Sequence, residues 1–171
     1  MFDLDIPKMG YVIIYKSGDG KFGQLIVKEQ LKRGFDKEHA EFTHVEVSGG
    51  GRHSINIAPP KSKLVDITKV HKGRYIKILR YKNDDYEDKG RYKVAYFSAS
   101  LCNTGYDIRG VMRFAIKWLG HSNRLWFCSE GVTHSLQMVY PEAMGKKPEQ
   151  VMPAHFSRSK QFETVFEGII E

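Results

Sequence analysis

The sequence predicts an α+β fold in a single domain that spans residues 1–171. Strand patterns dominate the first half of the chain and helix patterns dominate the second half, an order typical of α+β domains. A chain of 171 residues with 41% hydrophobic and 27% charged residues has the composition of a globular unit with a substantial core. Because no repeat or biased tract interrupts it, we exclude coiled coils, repeat proteins and disordered chains.

The predicted strands are short apolar or alternating segments, and turn residues such as glycine and proline follow the first three of them. A glycine-rich turn at 48–51 predicts that two of them form a hairpin. Between the first two strands, apolar residues at helical spacing predict a helix over 22–34. The strands are expected at 11–15, 42–47, 53–57, 64–67 and 75–81, and a polar loop is expected at 83–90.

The second half contains longer segments whose apolar residues share one helical face. Helices are predicted at 92–102, 107–119 and 127–140, and the chain ends in an apolar run at 162–170. No apolar stretch is long enough to cross a bilayer. The first residues lack the pattern of a signal peptide, so a cytoplasmic location is expected.

The chain carries 27 basic and 20 acidic residues, a net charge of +7 with neutral histidines. Basic residues are densest at 72–93, where acidic residues at 84–88 interrupt them. Alternating charge of this kind predicts a solvated surface, with binding to a polyanion as the alternative. Two cysteines are too few for a disulfide scaffold.

Cys128 stands at the predicted start of the third helix. The helix dipole and the unpaired N–H groups of the first turn stabilise a thiolate there, and the same groups can hold an oxyanion. The alternative is a buried, inert cysteine. Cys102 lies late in an apolar helix, where core packing is the expected role.

A nucleophilic cysteine needs a base, and that base needs an orienting partner. His44 is the favoured base because it lies on a predicted strand. Asn56 returns across the hairpin and is expected beside the ring. Glu46 faces the same way but starts about 6–7 Å further along the strand, a long reach to the ring, so Asn56 is favoured and Glu46 stays open as the orienting residue. His53 is expected on the opposite face.

Metal binding is the competing use of these side chains. His44, Glu46, His53 and Cys128 are the candidate ligands, yet no paired ligand motif is present, so neither a metal nor a cofactor is expected. His71 lies in polar surroundings and is expected to be solvated. The glycine turn precedes a strand rather than a helix, which excludes a phosphate-binding loop.

The order of these motifs resembles a known family. A strand with His44 is followed by Gly105-Tyr106-Asp107 and then by Phe127-Cys128-Ser129-Glu130, each at the start of a helix. This order is similar to the permuted branch of the NlpC/p60 superfamily, papain-like cysteine hydrolases whose histidine strand precedes the cysteine helix. The YiiX-like proteins, relatives of lecithin:retinol acyltransferase-like proteins, are the most similar subgroup. The resemblance covers about residues 11–166.

The resemblance implies a circularly permuted papain-like fold, with an antiparallel sheet packed against helices. It implies hydrolysis of an amide bond, in a peptidoglycan stem peptide or an N-acyl amino-acid amide, by a bacterial or phage enzyme. The partner would be a small peptide or acyl-amide, with nucleic acid not expected, and delivery by a virion would be an alternative to the cytoplasm. The implied site residues are the nucleophile Cys128, the base His44, the orienting Asn56 and the supporting Tyr106, Ser129 and Glu46.

Two other functions stay open from the sequence. Related proteins use the same cysteine–histidine pair on lipid esters or in acyl transfer. A non-enzymatic protein that binds a polyanion through residues 72–93 is the alternative from a different class, and its binding would weaken steeply with salt.

Overall fold

The computed structural model describes residues 3, 5–16, 18, 20–109 and 125–171. Its centre is an antiparallel six-stranded sheet with the strand order β4-β3-β2-β1-β5-β6, which makes the fold α+β as predicted. The strands are β1 Val12–Lys16, β2 Phe42–Gly50, β3 His53–Asn56, β4 Lys63–Asp66, β5 Tyr75–Tyr81 and β6 Phe162–Ile169.

Helices connect the strands and cover the sheet. Apart from short helical turns, the described helices are α1 Lys21–Lys32, α2 Lys37–Ala40, α3 Ile67–Val70, α4 Arg91–Ser100, α5 Cys128–Gln137 and α6 Pro153–Arg158. The helix predicted at 107–119 lies almost wholly outside the described residues. No helix in the described ranges is both long enough and apolar enough to cross a membrane.

Two expectations for the outer segments are wrong. The segment at 83–90 is not simply a polar loop, because Tyr86–Gly90 forms a π-helical turn with Tyr86 fully buried. The Tyr86 hydroxyl donates to the carbonyl of Gly10, which holds this turn against the start of β1. The C-terminal run forms β6 and pairs with β5, so the second half of the chain is not wholly helical.

The core lies on both faces of the central strand. Residues 12–15 of β1 are fully buried. Burial on both faces explains why the sequence of this strand is continuously apolar and does not alternate between apolar and polar residues. Helix α5 lies close to the sheet through Gly131, where an added Cβ would stand 2.4 Å from Cδ1 of Ile57. Glycine at this position therefore lets the start of α5 approach the end of the β2–β3 hairpin.

Candidate active site

Cys128 is the first residue of α5 and is buried. Below it, the Glu130 carboxylate accepts a hydrogen bond of 3.3 Å from the backbone N–H of Phe127 and closes the first turn. The Ser129 hydroxyl donates to the Val151 carbonyl at 2.6 Å. Ser129, a predicted supporting residue, therefore anchors the helix to the neighbouring loop with its side chain.

His44 lies on β2 with its Nε2 against two acceptors. Nε2 is 3.0 Å from Oε1 of Glu46 and 3.2 Å from Oδ1 of Asn56. Two acceptors assign the proton to Nε2, which leaves Nδ1 for the thiol. Cys128 is near enough to His44 for its charge and side chain to raise the pKa of that ring, so the structure brings the predicted nucleophile and base together.

The charge state of His44 follows from its neighbours. Burial lowers the pKa of His44, but the charge of Cys128, its hydrogen bond and the contact with Glu46 outweigh burial and raise this pKa to about 10. A raised pKa favours the protonated imidazolium of His44. In general, an imidazolium paired with a thiolate is the reactive form of a nucleophilic cysteine.

Glu46 is a fully buried carboxylate with four hydrogen-bond donors around it. Oε2 accepts from Tyr15 at 2.9 Å and from Ser54, and Oε1 accepts from His44 and from His71 at 2.7 Å. Burial raises the pKa of Glu46, but the hydrogen bonds and charges of both histidines outweigh it and hold the pKa well below its usual range.

The sequence favours Asn56 over Glu46 as the partner of His44, but the structure places both side chains on the ring. Val47 pairs with Ile55 in the sheet, so Glu46 and Asn56 are neighbours one step further along the two strands. From there both side chains extend to the same nitrogen of His44. The rise along the strand does separate the Cβ atoms of His44 and Glu46. The glutamate side chain is long enough to span this separation and reach the ring.

The expectation that His71 is solvated is also wrong. His71 ends α3, where its N–H donates to the Ile67 carbonyl at 2.9 Å, and its side chain is buried. Its ring centroid is 4.3 Å from that of Tyr15. No short-range signal indicates this placement, because His71 meets Glu46 only through the fold. His53, by contrast, is exposed.

Tyr106 stands beside the thiol as predicted from its motif. It forms an isolated parallel bridge with Trp126, two residues before Cys128, and it is buried. Burial raises the pKa of Tyr106 well above its usual value, and the charge of Cys128 and a hydrogen bond with Cys128 raise it further. The Tyr106 hydroxyl thus stays protonated and can donate to an oxyanion at this position.

A cleft of about 310 Å³ opens beside these residues. His44, Asn56, His71, Tyr106 and Arg74 contribute polar groups to its lining. The remaining lining is mostly small or apolar, with Phe22, Ile26 and Pro59 among its members. The site therefore offers a mostly apolar cleft whose polar groups lie around His44.

The same residues include one group that can hold a metal ion. In the part of the chain that the structure describes, His44, Glu46 and His71 offer ligand atoms within 4.8 Å of one another. Of the four ligands considered from sequence, this group contains His44 and Glu46 but neither His53 nor Cys128. Two imidazoles and a carboxylate are a donor set that suits zinc or iron, and an ion there would replace the hydrogen bonds to Glu46.

Comparison with known proteins assigns no family. No protein-family model matches this chain, and no curated protein matches its sequence. The function must therefore be argued from the geometry of the site.

Proposed function

We propose that this protein is a cysteine hydrolase of papain-like, circularly permuted architecture that cleaves an amide bond through an acyl-enzyme. One observation carries the proposal. Cys128 at the start of α5 lies within reach of His44, whose Nε2 is held by Glu46 and Asn56. A nucleophile, a base and an orienting acceptor in this order are the elements of nucleophilic acyl transfer.

The reaction follows from the protonation states. The Cys128 sulfur attacks the substrate carbonyl carbon, and the oxyanion forms next to the Tyr106 hydroxyl and the N–H groups of the helix start. His44 gives the Nδ1 proton to the leaving amine as the C–N bond breaks. Water then attacks the thioester while His44 takes its proton, which releases a carboxylic acid and restores the thiolate.

The cleft volume favours a small acyl group. About 310 Å³ lies at the lower end of the range for ligand sites, whereas a long lipid chain needs more space. This supports a peptide or N-acyl amino-acid amide, including a peptidoglycan stem peptide, over a lipid ester. The resemblance of the motifs to the permuted NlpC/p60 branch points the same way.

Ion pairing at 72–93 weakens the polyanion alternative. Lys77 lies 3.3 Å from a carboxylate oxygen of Glu167, and Arg80 forms an ion pair with Glu163. The Nε of Arg91 lies 3.8 Å from Glu87. These basic groups already have acidic partners on the protein, so less positive charge is left for a polyanion.

The test is acylation by p-nitrophenyl acetate, a small activated acyl donor. We expect a burst of p-nitrophenolate with the mass of one acetyl group added to Cys128, followed by slower turnover. Cys128→Ala and His44→Ala should abolish the burst, whereas the matched control Cys102→Ala should retain it. Acetylation confined to Cys102 or to lysines would contradict the proposal.

A metal-dependent hydrolase is the second candidate function, because His44, Glu46 and His71 converge. In that reaction a metal-bound water, rather than a thiolate, attacks the carbonyl. Dialysis against EDTA separates the two: the cysteine hydrolase keeps its activity, and added zinc inhibits it by occupying the base. A metal-dependent enzyme instead loses its activity with EDTA, regains it with zinc and tolerates Cys128→Ala.

A further inference from the structure

Arg74 is a basic side chain in the lining of the active-site cleft, next to His44, His71 and Tyr106. It precedes β5, and its Nη2 donates to the backbone carbonyl of Lys16. The residue is half-buried, and its buried Nε has no hydrogen-bond partner among the residues that the structure describes. An unsatisfied buried N–H is rare in native proteins and calls for an explanation.

The guanidinium also lacks an ion pair. Among the described residues, no carboxylate lies within ion-pair distance of Arg74, although Arg52, Arg80 and Arg91 each have an acidic partner. Partly buried arginines are usually paired, because an unpaired charge away from water costs free energy.

Glu46 attracts Arg74 from a distance but does not pair with it. Tyr15 accounts for this, because its hydroxyl bonds the Glu46 carboxylate and the Arg74 guanidinium lies 5.7 Å from its ring centroid. Both oxygens of Glu46 are already used by Tyr15, Ser54 and the two histidines. Burial lowers the pKa of Arg74, yet a guanidinium stays charged at neutral pH. A positive charge in the cleft is therefore left for a ligand.

We infer that Arg74 binds a carboxylate of the substrate, so that the enzyme acts on amides carrying a free carboxylate near the scissile bond, as in peptides and N-acyl amino acids. This inference rests on the proposed cysteine hydrolase. A planar guanidinium matches a carboxylate through paired N–H donors, and a single arginine matches a single negative charge. The apolar part of the cleft lining lowers the local dielectric constant, which strengthens this attraction.

The test compares two alkylating probes that differ only in charge. N-iodoacetylglycine carries a carboxylate, and N-iodoacetylglycinamide carries a neutral amide in its place. We measure the rate at which each labels Cys128, by mass spectrometry. In the wild type the acid should react about tenfold faster than the amide, as expected for a charge-assisted contact. In Arg74→Met the two rates should agree within about twofold, since that contact is lost.

Two further variants separate charge from folding. Arg74→Lys keeps the charge and should keep part of the preference for the acid, even if Arg74→Met is poorly folded. Arg52→Gln, which removes an exposed arginine paired with Asp66, should leave the preference unchanged. A wild-type preference that survives in Arg74→Met would assign anion binding to another group and overturn the inference.

The remaining outcomes distinguish this inference from the proposed function. Equal labelling of Cys128 by both probes would overturn the carboxylate site while leaving a reactive thiol and the hydrolase proposal in place. A Cys128 that reacts with neither probe would overturn both. Acetylglycine should protect Cys128 from iodoacetamide. Protection by dimethyl phosphate but not by acetylglycine would overturn the inference and indicate that Arg74 binds a phosphodiester.

Discussion

Glu46→Gln removes the carboxylate charge that contacts Nε2 of His44 and replaces it with a side chain of the same shape. The wild-type carboxylate accepts hydrogen bonds from His44, His71, Tyr15 and Ser54. The glutamine oxygen can accept only some of these four hydrogen bonds, and the glutamine NH₂ group faces donors with which it cannot pair. We expect kcat/KM to fall by about 10²- to 10⁴-fold, because the imidazolium loses its counter-charge and the neutral imidazole loses the acceptor that fixes its tautomer.

The same variant should lose stability. Hydrogen bonds to a charged group contribute about 1.5–3 kcal/mol each, and relief from burying the charge offsets part of the loss, so we expect the free energy of unfolding to drop by about 2–4 kcal/mol. Folding lowers the pKa of Glu46, so its stabilisation is complete above the unfolded pKa and fades as the pH falls below it. The wild-type advantage over Glu46→Gln should shrink accordingly in acid.

The assay is p-nitrophenyl ester turnover per folded molecule, together with urea unfolding at several pH values. Glu163→Gln is the matched control, because Glu163 is a carboxylate on β6 paired with Arg80 away from the site. It should change neither quantity appreciably. Near wild-type turnover in Glu46→Gln with a crippled Asn56→Ala would refute the reasoning and make Asn56 the orienting residue.

Three further predictions follow from the contacts around the thiol. Asn56→Ala should lower kcat/KM by only about 5- to 10-fold, because one neutral hydrogen bond of 3.2 Å is lost, and the same ester assay measures it. Tyr106→Phe should lower kcat by about 10- to 1000-fold without unfolding the protein, and an unchanged kcat would assign Tyr106 to packing. Burial lowers the pKa of His44, whereas Cys128 contributes most to raising it. NMR titration of Cys128→Ser should therefore show a lower pKa of His44. An unshifted pKa would show that Cys128 does not interact with His44.

Local patterns predicted the elements that carry the site. The alternating strand at 42–47, the glycine turn and the helix start at Cys128 all depend on short-range signals, and each lies where the sequence indicates. Asn56 could be placed beside His44 because a hairpin brings its two strands together by simple geometry.

Contacts that depend on the whole fold were missed. His71 lies 25 positions from Glu46 and reaches it only because the fold brings the end of α3 to the buried carboxylate. The sequence indicates only that Tyr15 belongs to an apolar strand, although its hydroxyl donates a hydrogen bond to the buried Glu46 carboxylate. The charge of Arg74 belongs to a basic segment, and no sequence pattern separates it from the paired residues around it. Side-chain length and burial decided the role of Glu46, and neither follows from backbone spacing.

The central claim is that Cys128 is an activated thiol held by His44, and competitive alkylation tests it most directly. The folded protein is treated with iodoacetamide near neutral pH, and labelling of the two cysteines is followed by mass spectrometry. Burial raises the pKa of Cys102, so it should react slowly. We predict that Cys128 is labelled at least about tenfold faster than Cys102 and loses this advantage in His44→Ala. Equal labelling of the two thiols in the folded wild type would contradict the account.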